Sequence, residues 1–182
     1  MKTVTAAFTT AQKRIETYPI YRVYYKRRYW DTGTTAYIYE TSWTELSRSE
    51  IVRVQPIVHQ FDTVTQTEFK VSNIVLQFKN DLQEWKEGSH TKSKFKSDGV
   101  SSFGYEPYLM KFQVKAGFSN IGGGDIRAGT SFPGGSDELV TVFTGLAAAW
   151  QYDSTSESVK VTVEGLERLL LNGDAERITT TV

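Results

Sequence analysis

Three carboxylates, Asp81, Glu84 and Glu87, flank Trp85 closely enough to raise the chemistry of paired acids, in which one carboxyl gives a proton and another attacks or activates water. Their spacing at i, i+3 and i+6 instead describes one wet face of a helical turn. Asp31-Thr32-Gly33 has the residues of an aspartic protease loop, where two carboxylates share one proton. The lead-in Lys26-Arg27-Arg28-Tyr29-Trp30 is not the apolar strand such a site needs, and there is no second copy, so a hairpin turn is predicted there. Gly122-Gly123-Gly124-Asp125-Ile126-Arg127 departs from the phosphate-cradling G-x-G-x-x-G at its last position, and no helix pattern follows it. His59 and His90 lack a carboxylate or second histidine at metal spacing. Ser89-His90-Thr91-Lys92 and Ser93-Lys94-Phe95-Lys96 match Ser-x-x-Lys only as any loop rich in serine and lysine does. No catalytic residue, cofactor site or metal site is therefore expected, and the chain is not expected to be an enzyme.

A second group of residues points to contact rather than catalysis. Between Tyr18 and Trp30 the chain places Tyr21, Tyr24, Tyr25 and Tyr29 beside the basic run Lys26-Arg27-Arg28. Aromatic faces stack on sugars and bases, and cations attract phosphate, so Tyr25, Lys26, Arg27, Arg28 and Trp30 form a candidate surface strip. A packed strand with solvated cations accounts for the same residues without any ligand. With Lys plus Arg equal to Asp plus Glu at 21 each, the whole chain is not a bulk binder of nucleic acid or anionic membranes. No cysteine is present, so packing alone must hold the fold. The first residues lack the apolar run of a signal peptide, and no stretch reaches the apolar length of a membrane helix, which predicts synthesis in the cytoplasm and no membrane partner.

These residues must be carried by strands. Val159, Val161 and Val163 alternate with Lys160, Thr162 and Glu164, the period of a strand with one buried and one wet face. With residues 138–152 before it, this segment makes a hairpin, and Leu166, Leu169 and Leu170 then predict a short helix. Met110, Phe112 and Val114 alternate with Lys111, Gln113 and Lys115 in the cleanest strand of the chain, which opens at Tyr108. Further strands are predicted over 18–30, 37–43, 51–58 and 69–78, with Pro56 marking an edge or bulge. Residues 6–17 predict a short helix or arm. Residues 81–105 and 117–136 carry no strand pattern, and the second holds half of the fourteen glycines. The expectation is one all-β domain over 1–182, a β-barrel or β-sandwich, with one or two short helices and two long loops. Loops of that length are functional or ordered by a partner.

Four segments, taken in order, resemble a known family. They are Val71-Ser72-Asn73-Ile74-Val75-Leu76-Gln77-Phe78-Lys79-Asn80-Asp81, Pro107-Tyr108-Leu109-Met110-Lys111-Phe112-Gln113-Val114-Lys115-Ala116-Gly117, Val142-Phe143-Thr144-Gly145-Leu146, and the strand plus helix from Val159 to Leu170. This order is similar to that of the structural β-barrel proteins of bacteriophage tail tips and baseplates, the tail-hub and distal-tail proteins. The resemblance covers about 100 residues. It implies a non-enzymatic virion component, assembled in the host cytoplasm, that forms a homo-oligomeric ring, trimer or hexamer. Its implied partners are the tail tube, tape measure and tip proteins, with no cofactor and no specific nucleic-acid binding. In such a ring the loops would act as docking arms, through Trp85, Lys86, Lys92, Lys94 and Lys96 in the first and Ile121, Ile126, Arg127 and Phe132 in the second. Deletion of 88–102 is then expected to leave a folded monomer. A carbohydrate-binding β-sandwich or adhesin, with Tyr21, Tyr24, Tyr25, Tyr29, Trp30, Tyr37 and Tyr39 as a stacking platform, is the alternative.

Overall fold

The computed structural model describes residues 19–57, 72–86, 92–97, 104–118, 138–153 and 157–166. Eight strands account for most of them: β1 (Pro19–Asp31), β2 (Ala36–Tyr39), β3 (Thr44–Glu45), β4 (Ile51–Val54), β5 (Asn73–Lys79), β6 (Tyr105–Phe118), β7 (Glu138–Asp153) and β8 (Ser158–Gly165). All pairings are antiparallel, in the order β2-β1-β6-β7-β8-β5-β4, with β3 also on the outer edge of β1. The chain is all-β, a sheet curled into a half-barrel, with no helix among the described residues. The helices predicted at 6–17 and beyond Leu166 lie outside those residues.

The curl follows from what the inner face must bury. In a flat sheet β1 and β5, four strand spacings apart, would be separated by roughly 19 Å. Yet the Trp85 ring lies 5.5 Å from Tyr25 of β1 and 5.1 Å from Phe78 of β5, so the two sides of the sheet close around one indole. Phe112 on β6 bridges the same pair, at 6.5 Å from Tyr25 and 5.9 Å from Phe78. Val23, Ile74, Leu76, Met110, Val114, Phe143, Val159, Val161 and Val163 belong to the same buried cluster. Each aliphatic or aromatic side chain buried this way contributes about 1.5–3 kcal/mol, enough to hold the fold without a disulfide.

Between β3 and β4 the chain passes from a strand paired with β1 to one paired with β5. Leu46 is buried, its N–H donating to the Val23 carbonyl, and Ser47 to Glu50 form a turn. β4 is an edge strand, as Pro56 suggested, but it ends at Val54. Likewise β2 stops at Tyr39, short of the predicted Trp43, and β5 opens at Asn73.

Two local departures reset the strand faces. In β6 the buried residues are Tyr105 and Pro107, then Met110, Phe112 and Val114, a shift of one residue in the alternation. Leu109 takes φ of 61°, and the register against β1 jumps between Lys26 and Arg28 at the same place. This bulge leaves Tyr108 exposed, although the simple alternation put it with Met110. In β7, Gly145 passes so close to β8 that a Cβ there would collide with the Glu164 carbonyl, so only glycine fits.

Candidate interaction surface

Strand β1 divides the predicted aromatic and basic strip in two. Successive side chains point to opposite faces, so Tyr25, Arg27 and Tyr29 turn inward while Tyr24, Lys26, Arg28 and Trp30 turn outward. Tyr25 is buried against Trp85, and burial pushes its hydroxyl pKa up, with Lys94 partly opposing. The Arg27 guanidinium lies 3.7 Å over the Tyr105 ring, pairs with Glu40 and donates to the Lys94 carbonyl at 3.1 Å. Burial opposes its charge, but the hydrogen bonds and charge of Glu40 outweigh burial and hold its pKa above the ordinary value. Tyr25 is thus buried and Arg27 mostly packed, while Lys26, Arg28 and Trp30 of the strip lie on the outer face.

The outer half of β1 joins residues that are distant in sequence. The register sets Arg28 opposite Tyr39 and Trp30 opposite Tyr37 on β2, and sets Lys26 opposite Lys111 and Arg22 opposite Lys115 on β6. Directly opposed residues share a face, so these eight form one outer surface. Cations and rings alternate across it: Arg28 lies 4.1 Å over Tyr37, Lys111 4.0 Å over Tyr39, Lys115 4.8 Å over Tyr24 and Lys26 5.3 Å over Trp43. Trp30 and Tyr37 meet edge to face at 5.1 Å, and both rings are exposed.

The charges on this face are uneven. Arg22 pairs with Glu45 at 2.7 Å, and Arg28 lies 3.9 Å from Glu106, whose carboxylate also hydrogen-bonds Tyr37 and raises that hydroxyl's pKa. Lys26 donates to the Thr41 carbonyl at 2.6 Å. Among the described residues no carboxylate pairs with Lys26, Lys111 or Lys115. Lys111 has a pKa below the ordinary lysine value, first because it is half-buried and then because Lys26 stands opposite. The Asp31 carboxylate at the end of β1 accepts from Gly33 N, Thr34 N and Thr34 Oγ1, which makes the Asp-Thr-Gly segment the predicted hairpin turn.

The first predicted docking arm lies on the inner side. Asn80 Oδ1 accepts from the Trp85 backbone N–H at 2.9 Å, and Ser93 Oγ donates to the Lys86 carbonyl at 2.7 Å. Trp85 is fully buried, in contact with Tyr25, Phe78, Phe95 and Trp150. Its indole Nε1 has no hydrogen-bond partner among the described residues, a cost of about 1–3 kcal/mol that the four ring contacts offset. Lys94 reaches over the same indole at 4.7 Å, with Nζ 3.0 Å from Glu50 and 3.6 Å from Glu84. Phe95 is buried, and its carbonyl accepts from Tyr105 N–H across Gly104, whose φ of 84° permits the close approach. Trp85, Ser93 and Phe95 of the excursion are therefore part of the core. Lys86, Lys92 and Lys96 are exposed, whereas Trp85 and Lys94 are held inside. Glu84 is occupied by Lys94, while Asp81 caps the Leu82 N–H in an exposed turn, so these two acids do not converge. Glu87 and all of Ile121, Ile126, Arg127 and Phe132 lie outside the described residues.

Tyr37 and Tyr39 were expected beside Trp30 as a stacking platform, but Lys111, Lys115, Glu106 and Trp43 were not expected as companions of Lys26 and Arg28. The alternation of Lys111, Gln113 and Lys115 was visible, but its pairing with β1 joins residues some 85 apart in the chain. No group of three or more potential metal ligands occurs among the described residues, and no described helix is long and apolar enough to cross a membrane. Comparison with protein families, curated proteins and solved structures finds no match for this chain.

Proposed function

We propose that the chain is a structural, non-enzymatic subunit of a bacteriophage tail tip or baseplate, joining neighbours in a ring by subunit contacts. The observation that carries this reading is the placement of the four segments that resemble tail proteins. Their described parts fall on β5, β6, β7 and β8, which are neighbours in the order β6-β7-β8-β5, so the resemblance follows one continuous half of the sheet. A curled sheet with open edges also suits assembly. The edge strands β2 and β4 are four residues each, and such edges are covered in a ring by the next subunit.

The loop contribution to this reading changes. With Trp85 and Phe95 in the core, contacts to neighbours fall to the edges and to the exposed cations Lys86, Lys92 and Lys96. The test is the solution mass by light scattering, with negative-stain images of the same fraction, alone and with tail-tube protein added. Closed rings of one copy number are expected in at least one of the two conditions. A monomer in both would reject the reading.

A further inference from the structure

We infer that the outer face of β1, β2 and β6 is a binding site for an acidic polysaccharide, with Trp30 and Tyr37 taking a sugar face and Lys26, Lys111 and Lys115 taking its carboxylates. Three features of the surface support this. The first is the unpaired charge. Lys26 and Lys111 stand directly opposite each other, an arrangement that destabilises a sheet unless an anion lies between them. Lys115 continues the row along β6, again with no described carboxylate paired to it. Lys26, Lys111 and Lys115 thus bring three cations with no described carboxylate partner onto one face.

The second feature is the end of the row. Trp30 and Tyr37 are 36% and 46% exposed, held edge to face, and Arg28 beneath Tyr37 fixes that ring. Exposed rings with a fixed orientation present the flat apolar surface that a pyranose C–H face covers. The third feature decides between polyanions. Glu106 and Glu45 lie within the cationic row, at Arg28 and Arg22. Carboxylates there can accept hydrogen bonds from sugar hydroxyls, which a DNA backbone does not offer. The set of Arg28, Glu106, Trp30 and Tyr37 offers a donor, an acceptor and an apolar face at once, which suits a hydroxylated chain better than a nucleic acid.

The test is calorimetric titration of the whole chain with a long oligogalacturonate, a neutral cello-oligosaccharide of the same length and an oligothymidylate. Saturable binding of the oligogalacturonate is expected, weakening with salt as exposed charges are screened, and tighter than for either other probe. The Lys26→Gln/Lys111→Gln double variant and, separately, Trp30→Ala should each weaken it about tenfold, with thermal unfolding near that of the parent. Equal or tighter binding of the oligothymidylate would overturn the proposal in favour of a nucleic-acid surface. Equal binding of the neutral sugar, no binding of the oligogalacturonate, or unchanged affinity in the lysine variant would overturn it as well.

Discussion

The two faces of β1 share one backbone and one composition, yet they live in different solvents. Inward, Tyr25 is packed against Trp85 and the Arg27 guanidinium is paired with Glu40. Outward, Lys26 meets another lysine, and the rings of Trp30 and Tyr37 meet water. The difference teaches that a run such as Tyr-Tyr-Lys-Arg-Arg-Tyr-Trp is not one feature. Strand geometry assigns alternate members to stability and to contact. Mutations that respect this division should separate the two cleanly.

The largest effect should come from the inner face. Trp85→Ala removes the ring that joins both sides of the sheet and is expected to cost about 3–5 kcal/mol in urea unfolding. A loss under about 1 kcal/mol would mean that the indole is not the keystone of the core. Next, Gly145→Ala forces β7 away from β8 and should cost about 3 kcal/mol, at the upper end for overpacking. Lys94→Ala leaves Glu50 and Glu84 facing each other beside Trp85. Because the site is partly open, a cost of about 2 kcal/mol is expected, below that of a fully buried pair.

Alkali sharpens the comparison by pH. Tyr25 and Tyr39 have pKa values raised above 10.0, chiefly by burial, so the folded state holds their protons more tightly than the unfolded chain does. Their contribution is fully present below pH 10 and is lost as pH rises through the folded values. Absorbance titration should show these two tyrosines ionising late, together with loss of structure. Early, reversible ionisation of every tyrosine would contradict their burial. The smallest effect belongs to the outer face: Lys111→Gln relieves repulsion from Lys26 and should leave stability unchanged or raise it by up to about 0.5 kcal/mol.

Much of the fold was legible because its strands carry a period of two. The valines of β8 and the alternation from Met110 to Val114 gave both the strands and their buried faces, and Asp31-Thr32-Gly33 gave the turn. What was not legible depended on contacts distant in sequence. The bulge at Leu109 reverses a face without any glycine to announce it. Trp85 sits in a stretch with no period, so nothing local distinguishes a core ring from a docking ring. The outer surface combines β1, β2 and β6, and that combination exists only once the sheet has paired.

The central claim is that Trp85 and Phe95 of the excursion after β5 belong to the core, and deletion of 88–102 tests it most directly. The deletion removes Lys94 and Phe95 and so opens the sheet around Trp85. Thermal unfolding of the deleted protein, followed by near-ultraviolet circular dichroism, should show the aromatic signal and the cooperative transition lost. A soluble protein that keeps both, unfolding sharply within a few degrees of the parent, would contradict the account and restore the segment as a free arm.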